Sequence, residues 1–129
     1  MLIEEYFALV DQWVTQTGYI INVALTKEKR SRHIGFIKGV IEFVDGSSLH
    51  VMEFVEVKDS IDRYKYRYHY QTRHQARIFR YDMAPHFLGL ATSSHHKHIG
   101  PDATPNHVIP SSGPLLSEVF AEIEQCLTP

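Results

Sequence analysis

Over the first fifteen residues, Ile3, Tyr6, Phe7, Val10, Trp13 and Val14 recur at three- and four-residue intervals, which gathers them on one stripe of a helix. Gly18 ends that period, and Tyr19 to Thr26, rich in branched and aromatic residues, reads as a first strand. Ile34 to Val44 and Leu49 to Val57 read as the second and third strands. They are joined around Asp45-Gly46, a dipeptide that accepts the positive backbone angles of a tight hairpin. Next, Tyr64, Tyr66, Tyr68 and Tyr70 alternate with Lys65, Arg67, His69 and Gln71, a two-residue period that makes a strand with one aromatic and one basic face. A fifth strand, Ala76 to Asp82, returns beside it with Phe79 and Tyr81 on one side and Ile78, Arg80 and Asp82 on the other. Beyond Asp82 the period fails. Pro85, Pro101, Pro105, Pro110 and Pro114 punctuate the chain, and only a short strand around Lys97 to Gly100 is expected there. Pro114 suits the first turn of a closing helix whose stripe is Leu115, Leu116, Val119, Phe120 and Ile123. The pattern predicts an α+β fold, an antiparallel sheet of about five strands with an N-terminal and a C-terminal helix packed on one face.

A chain of 129 residues suits one domain, so residues 1–129 are taken as a single unit with one core. The formal net charge of −2 hides an asymmetry. Arg63, Lys65, Arg67, Arg73, Arg77 and Arg80 follow one another with no acid between them, while Glu4, Glu5, Asp11, Glu118, Glu122 and Glu124 lie towards the ends. The middle of the chain therefore carries a local positive field. The lone Cys126 rules out an internal disulfide and a cysteine-based metal site, and fits a reducing compartment. The apolar start is interrupted by three acids, unlike a secretory leader, and nothing later approaches membrane-spanning length. A cytoplasmic protein without a membrane partner is expected.

Candidate chemistry gathers at His95-His96-Lys97-His98, with Arg67, His69, Arg80, Asp82 and His86 shortly before it. Imidazole accepts and donates protons near neutral pH. If register follows the alternation, Arg67 and His69 lie beside Arg80 and Asp82, and the histidine run folds back over them. Three outcomes can be built from these groups. In the first, His69, His96 and His98 move protons while Arg67, Arg80 and Lys97 neutralise a phosphate and Asp82 orients a histidine or arginine; the ribose 2′-hydroxyl then makes RNA the substrate. In the second, Asp82, His86, His96 and His98 hold a metal, although Lys97 between the histidines would repel a cation unless it points to the opposite face. In the third, the basic face binds RNA or an acidic protein without catalysis. Plainer explanations stand beside each of these. Asp82 with Arg67 or Arg80 can be a surface ion pair, the tyrosines can be sheet packing, and the histidine run can be a solvated loop. Scarcity of carboxylates favours the metal-free outcome, with no cofactor.

The succession YRYHYQ at Tyr66 to Gln71, FRYD at Phe79 to Asp82, Ala84-Pro85-His86 and HHKHIG at His95 to Gly100, followed by a helix, resembles the TumE family of bacterial and archaeal toxins. The matching blocks run from about Val40 to Ile123. By position the chain retains Tyr68, His69, Arg80, Asp82, Pro85, His86, His95, His96, Lys97 and His98 of that pattern. It departs at Met83 and Phe87, where relatives often carry asparagine and histidine. The resemblance implies a growth-inhibiting toxin restrained by a helix-turn-helix antitoxin encoded beside it. With the chemistry above, it points to a ribonuclease whose catalytic groups are His69, Asp82, His96 and His98. Arg67, Arg80, His86, His95 and Lys97 would bind substrate. Oligomeric state stays open, a homodimer included.

Overall fold

The computed structural model describes residues 1–83, 95–101 and 108–127. Helix α1 (Ile3–Thr15) leads into strands β1 (Ile20–Lys29), β2 (Ile34–Phe43), β3 (Ser48–Glu56), β4 (Asp62–Gln71), β5 (Arg77–Met83), β6 (His95–Ile99) and β7 (Val108–Pro110), and helix α2 (Leu116–Leu127) ends the fold. The α+β class holds, but among the described residues the sheet has seven strands where about five were expected. They lie in the order β1 to β7, each antiparallel to the next. The short strand expected near Lys97 is β6, starting at His95. β7 is a three-residue edge piece ending on Pro110, too short for a period to reveal and placed where a missing N–H is tolerated.

Both helices cover one sheet face. Ile37, Ile41, Phe43, Leu49, Val51, Val55, Tyr66, Tyr68, Tyr70 and Phe79 are buried there against Ile3, Tyr6 and Val10 of α1 and Leu116, Val119, Phe120 and Ile123 of α2. α1 sits directly on β2 at Gly35, where a Cβ would stand 2.7 Å from Ile3 Cγ1 and Phe7 Cζ. The hairpin between β2 and β3 turns at Gly46, whose φ of +86° suits glycine, while Asp45 Oδ1 accepts from the Ser47 N–H at 2.9 Å. Among the described residues no helix is long and apolar enough to cross a membrane.

A carboxylate lies inside this apolar layer. Glu53 is 0% exposed, and it accepts from the Tyr6 hydroxyl at Oε1 and the Tyr68 hydroxyl at Oε2, each at 2.5 Å. Arg63 Nη1 donates to the Tyr68 oxygen at 3.1 Å and to the Pro114 carbonyl at 2.6 Å, and Nη2 donates to the Gly113 carbonyl at 2.5 Å. Burial pushes the Glu53 carboxyl above the usual carboxylate range, against the opposing pull of both phenols and Arg63.

Arg63 reaches the helix side because β4 carries a bulge. Phe54 pairs with Lys65 but Val55 pairs with Arg63, so Tyr64 is the extra residue. The tyrosine alternation read from the sequence therefore holds for Tyr66, Tyr68 and Tyr70 only. Tyr64 turns to the far face, where its ring centroid lies 5.8 Å from that of Phe54.

Glu53→Ala would strand two buried hydroxyls, each costing about 1–3 kcal/mol when unsatisfied, and leave a cavity. We expect urea denaturation to show a loss of about 3–5 kcal/mol. A loss below about 1 kcal/mol would show that the phenols find other partners.

Candidate functional site

On the sheet face turned away from the helices, antiparallel register aligns side chains in rows. One row runs Lys38, Met52, Arg67, Asp82, His96 across β2 to β6. The next runs Val40, His50, His69, Arg80, His98. The predicted grouping of Arg67, His69, Arg80 and Asp82 with His96 and His98 is thus one patch, because β6 returns alongside β5.

Asp82 is its centre. Its Oδ1 lies 2.6 Å from His96 Nε2 and 3.4 Å from His98 Nε2. The two imidazoles meet edge to face with centroids 5.1 Å apart. His96 is 0% exposed and Asp82 8%, whereas His98 is only partly buried and Arg67 is exposed. One ligand atom from each of Asp82, His96 and His98 falls within 4.8 Å of the others, close enough to share a metal ion. Burial lowers the His98 pKa; Asp82 opposes that shift, while His96, Arg77 and Arg80 add to it.

In the second row Arg80 Nε donates to His69 Nδ1 at 3.1 Å. Burial first, then the Arg80 charge, lowers the His69 pKa to about 4; His50 and Arg77 push the same way, against a hydrogen bond with Gln71. Arg80 itself is lowered by burial and by its neighbour Arg67, with Asp82 opposing. This corner is therefore rich in cations and holds His69 neutral.

Two predicted members of the site lie elsewhere. Lys97 projects to the helix side, where Nζ meets Glu122 Oε2 at 2.6 Å and sits 4.9 Å from the Tyr81 ring centroid. Tyr81 donates to the other oxygen of Glu122 at 2.5 Å. His95 faces the same way, its Nδ1 2.8 Å from the Tyr66 hydroxyl and its ring stacked on that phenol. The reason is strand alternation, which sends neighbours in the histidine run to opposite faces. The binding roles expected of His95 and Lys97 therefore have no footing beside Asp82. His86 and Phe87 lie outside the described residues. His50, not singled out in the sequence, stands in the second row with its ring 6.0 Å from that of His69. The usable signal was its alternation with the buried Leu49 and Val51.

Comparison with known proteins gives one result. The chain matches the family model described as Toxin TumE over residues 9–127. No curated protein and no solved structure matches it.

The His69 environment is directly testable. A histidine held below its ordinary pKa of about 6.5 contributes stability that is full above that value and is lost as pH falls through the folded one. Side-chain NMR should show His69 titrating near 4, and Arg80→Gln should move it upwards. Titration at the ordinary value in the unaltered protein would refute the Arg80 contact.

Proposed function

Because the chain belongs to the TumE toxin family, we propose that it inhibits growth by acting on RNA, cutting the phosphodiester chain by proton transfer at the Asp82 patch. The observation that supports this is the two-row register. It sets a carboxylate against two imidazoles and flanks it with Arg67 and Arg80.

In this mechanism the phosphate docks on Arg67 and Arg80, which neutralise charge as it builds on the phosphoryl oxygens. His98, the partly exposed imidazole of the Asp82 pair, takes the proton of the ribose 2′-hydroxyl. The 2′-oxygen attacks phosphorus, a cyclic phosphate forms, and the bond to the 5′-oxygen breaks. Asp82 stabilises the imidazolium left on His98. A bound phosphate offsets the Arg80 charge that, after burial, keeps His69 neutral; His69 then takes up a proton from solvent and gives it to the departing 5′-oxygen. His96, having no exposed atom, acts as a positioning residue that fixes the Asp82 carboxylate. The partner that restrains the toxin is a helix-turn-helix antitoxin encoded beside it.

A second reading has its own support. Lys97, the cation that argued against a metal, lies on the opposite face, and Asp82, His96 and His98 offer three ligands. Three protein ligands with one open position are what a hydrolytic zinc site needs.

The test uses purified protein and RNA with strong chelator present. We expect cleavage to cyclic-phosphate ends, blocked by 2′-deoxy substitution at the scissile nucleotide. His98→Ala should lose about 100-fold or more, the usual contribution of a proton-transfer group. His96→Asn should lower activity and shift the acid limb of the pH profile. Bound zinc in equimolar amount, with cleavage abolished by chelator, would overturn the metal-free mechanism in favour of the second. Binding of RNA with no cleavage under any condition would overturn both.

A further inference from the structure

A third row lies beside the two that hold the site. Phe36 pairs with Phe54, which pairs with Lys65, and the bulge sets the Tyr64 ring next to Phe54. The Phe36 and Phe54 centroids are 6.4 Å apart and those of Phe54 and Tyr64 are 5.8 Å apart, so three rings cross β2, β3 and β4 as one chain. None of them packs into the helix-covered core. Phe36 and Phe54 are half-buried and Tyr64 is 44% exposed, on the same face as Asp82.

Large rings at a sheet surface are costly in water unless something covers them. What fits here is set by charge. Lys38 and Arg67 occupy the adjoining row and Lys65 the aromatic row itself, all three exposed. Of the other acids on this face, Glu28 pairs with Phe36 at the β1 end of the aromatic row, Glu56 and Asp62 form the row on the side away from Lys38 and Arg67, and Glu42 lies two rows past Lys38. Flat apolar faces interleaved with cations match a chain of flat bases joined by anions. A duplex buries its base faces in its own stack, so the match is to unpaired nucleotides.

We propose that Phe36, Phe54 and Tyr64, with Lys38, Lys65 and Arg67, form a stacking track for single-stranded RNA leading into the Asp82 patch. This rests on the reading of the protein as an RNA-acting toxin and narrows its substrate to unpaired strands. From Lys65 on β4 to His98 on β6 the sheet spans two inter-strand steps and four residues of rise, roughly 16 Å, a distance that a few linked nucleotides cover. The β4 bulge makes the track possible, because regular alternation would send Tyr64 to the helix side.

The test is fluorescence anisotropy with a short labelled 2′-deoxy oligonucleotide, which has no 2′-hydroxyl and stays intact whatever the chemistry. The unaltered protein should bind the single strand at least tenfold more tightly than a duplex of the same sequence. Tyr64→Ala and Phe54→Leu should each weaken single-strand binding by about 5- to 150-fold, the range that loss of one base–aromatic stack gives. Tyr64→Leu, a mild change at an exposed position, keeps apolar area but removes the stacking face, and should weaken binding as Tyr64→Ala does. Circular dichroism checks the fold of each variant. Ring-dependent binding without any RNA cleavage would support the track while sinking the ribonuclease mechanism. Equal affinity for duplex, or variants that bind like the unaltered protein, would overturn the track even if RNA is cut. A row protected only by the antitoxin, with no nucleic acid bound, would overturn it in favour of a protein-docking face.

Discussion

Glu53 lies where the helix-facing layer of the sheet would otherwise be apolar, and the phenols that hold it set the phase of the strands around it. Burying a carboxylate costs several kcal/mol unless its oxygens are well bonded. Tyr6 from α1 and Tyr68 from β4 supply those bonds, and Arg63 completes the knot through Tyr68. With Tyr68 committed inwards, its neighbours Arg67 and His69 must face outwards. A slip of β4 by one residue would bury both of them and lift Tyr68 out, so the carboxylate resists slippage more strongly than an apolar partner would. The same arginine clamps the Gly113 and Pro114 carbonyls just ahead of α2, which makes one cluster responsible for both helices and for the sheet's polarity.

Phase in β4 becomes geometry at the site through two more registers. β5 pairs with β4 and β6 with β5, so Arg67, Asp82 and His96 line up without any loop having to place them. β6 is held from behind by Lys97, which meets Glu122 of α2 and lies over the Tyr81 and Phe79 rings. That ion pair is partly exposed and contributes little energy by itself. Its value is directional, since it keeps Lys97 inwards and thereby His96 and His98 outwards. A single five-residue strand thus divides a run of three histidines and a lysine into an inward anchor, His95 and Lys97, and an outward pair, His96 and His98.

The alternation of Tyr66, Tyr68 and Tyr70 and the Asp45-Gly46 turn were legible from residues alone, and with them most of the sheet and the grouping around Asp82. What escaped has physical causes. The exchange of faces between Arg63 and Tyr64 follows from a bulge, which strict two-residue periodicity cannot express. Alternation with Val51 and Val55 turns Glu53 inwards, but nothing local shows how its charge is met, because its partners lie 47 and 15 residues away in the chain. β7 is shorter than any pattern can report, and His50 gained a neighbour only through register. The sides taken by His95 and Lys97 required knowing that the histidine run is a strand.

The choice between proton transfer and metal chemistry turns on His96. Both need His98 as a neutral imidazole, and burial together with the surrounding arginines favours that form. They differ in what they ask of access. A proton shuttle must touch its substrate, which a histidine with no exposed atom cannot do, so metal-free chemistry falls to His98 and His69 and leaves His96 to hold Asp82. A metal ligand has no such requirement, and buried ligands are the norm because the ion itself meets the substrate. Arg67 and Arg80 break the symmetry. Two guanidinium groups within a strand of the carboxylate raise the cost of placing a dication beside them and reward an arriving phosphate. Burial first and then the Arg80 charge hold His69 neutral in the free protein, and a bound phosphate would offset the Arg80 part, so binding of substrate itself would ready His69 to carry the proton it must give. This coupling between charge and basicity is what a metal-free mechanism needs and a metal site does not use.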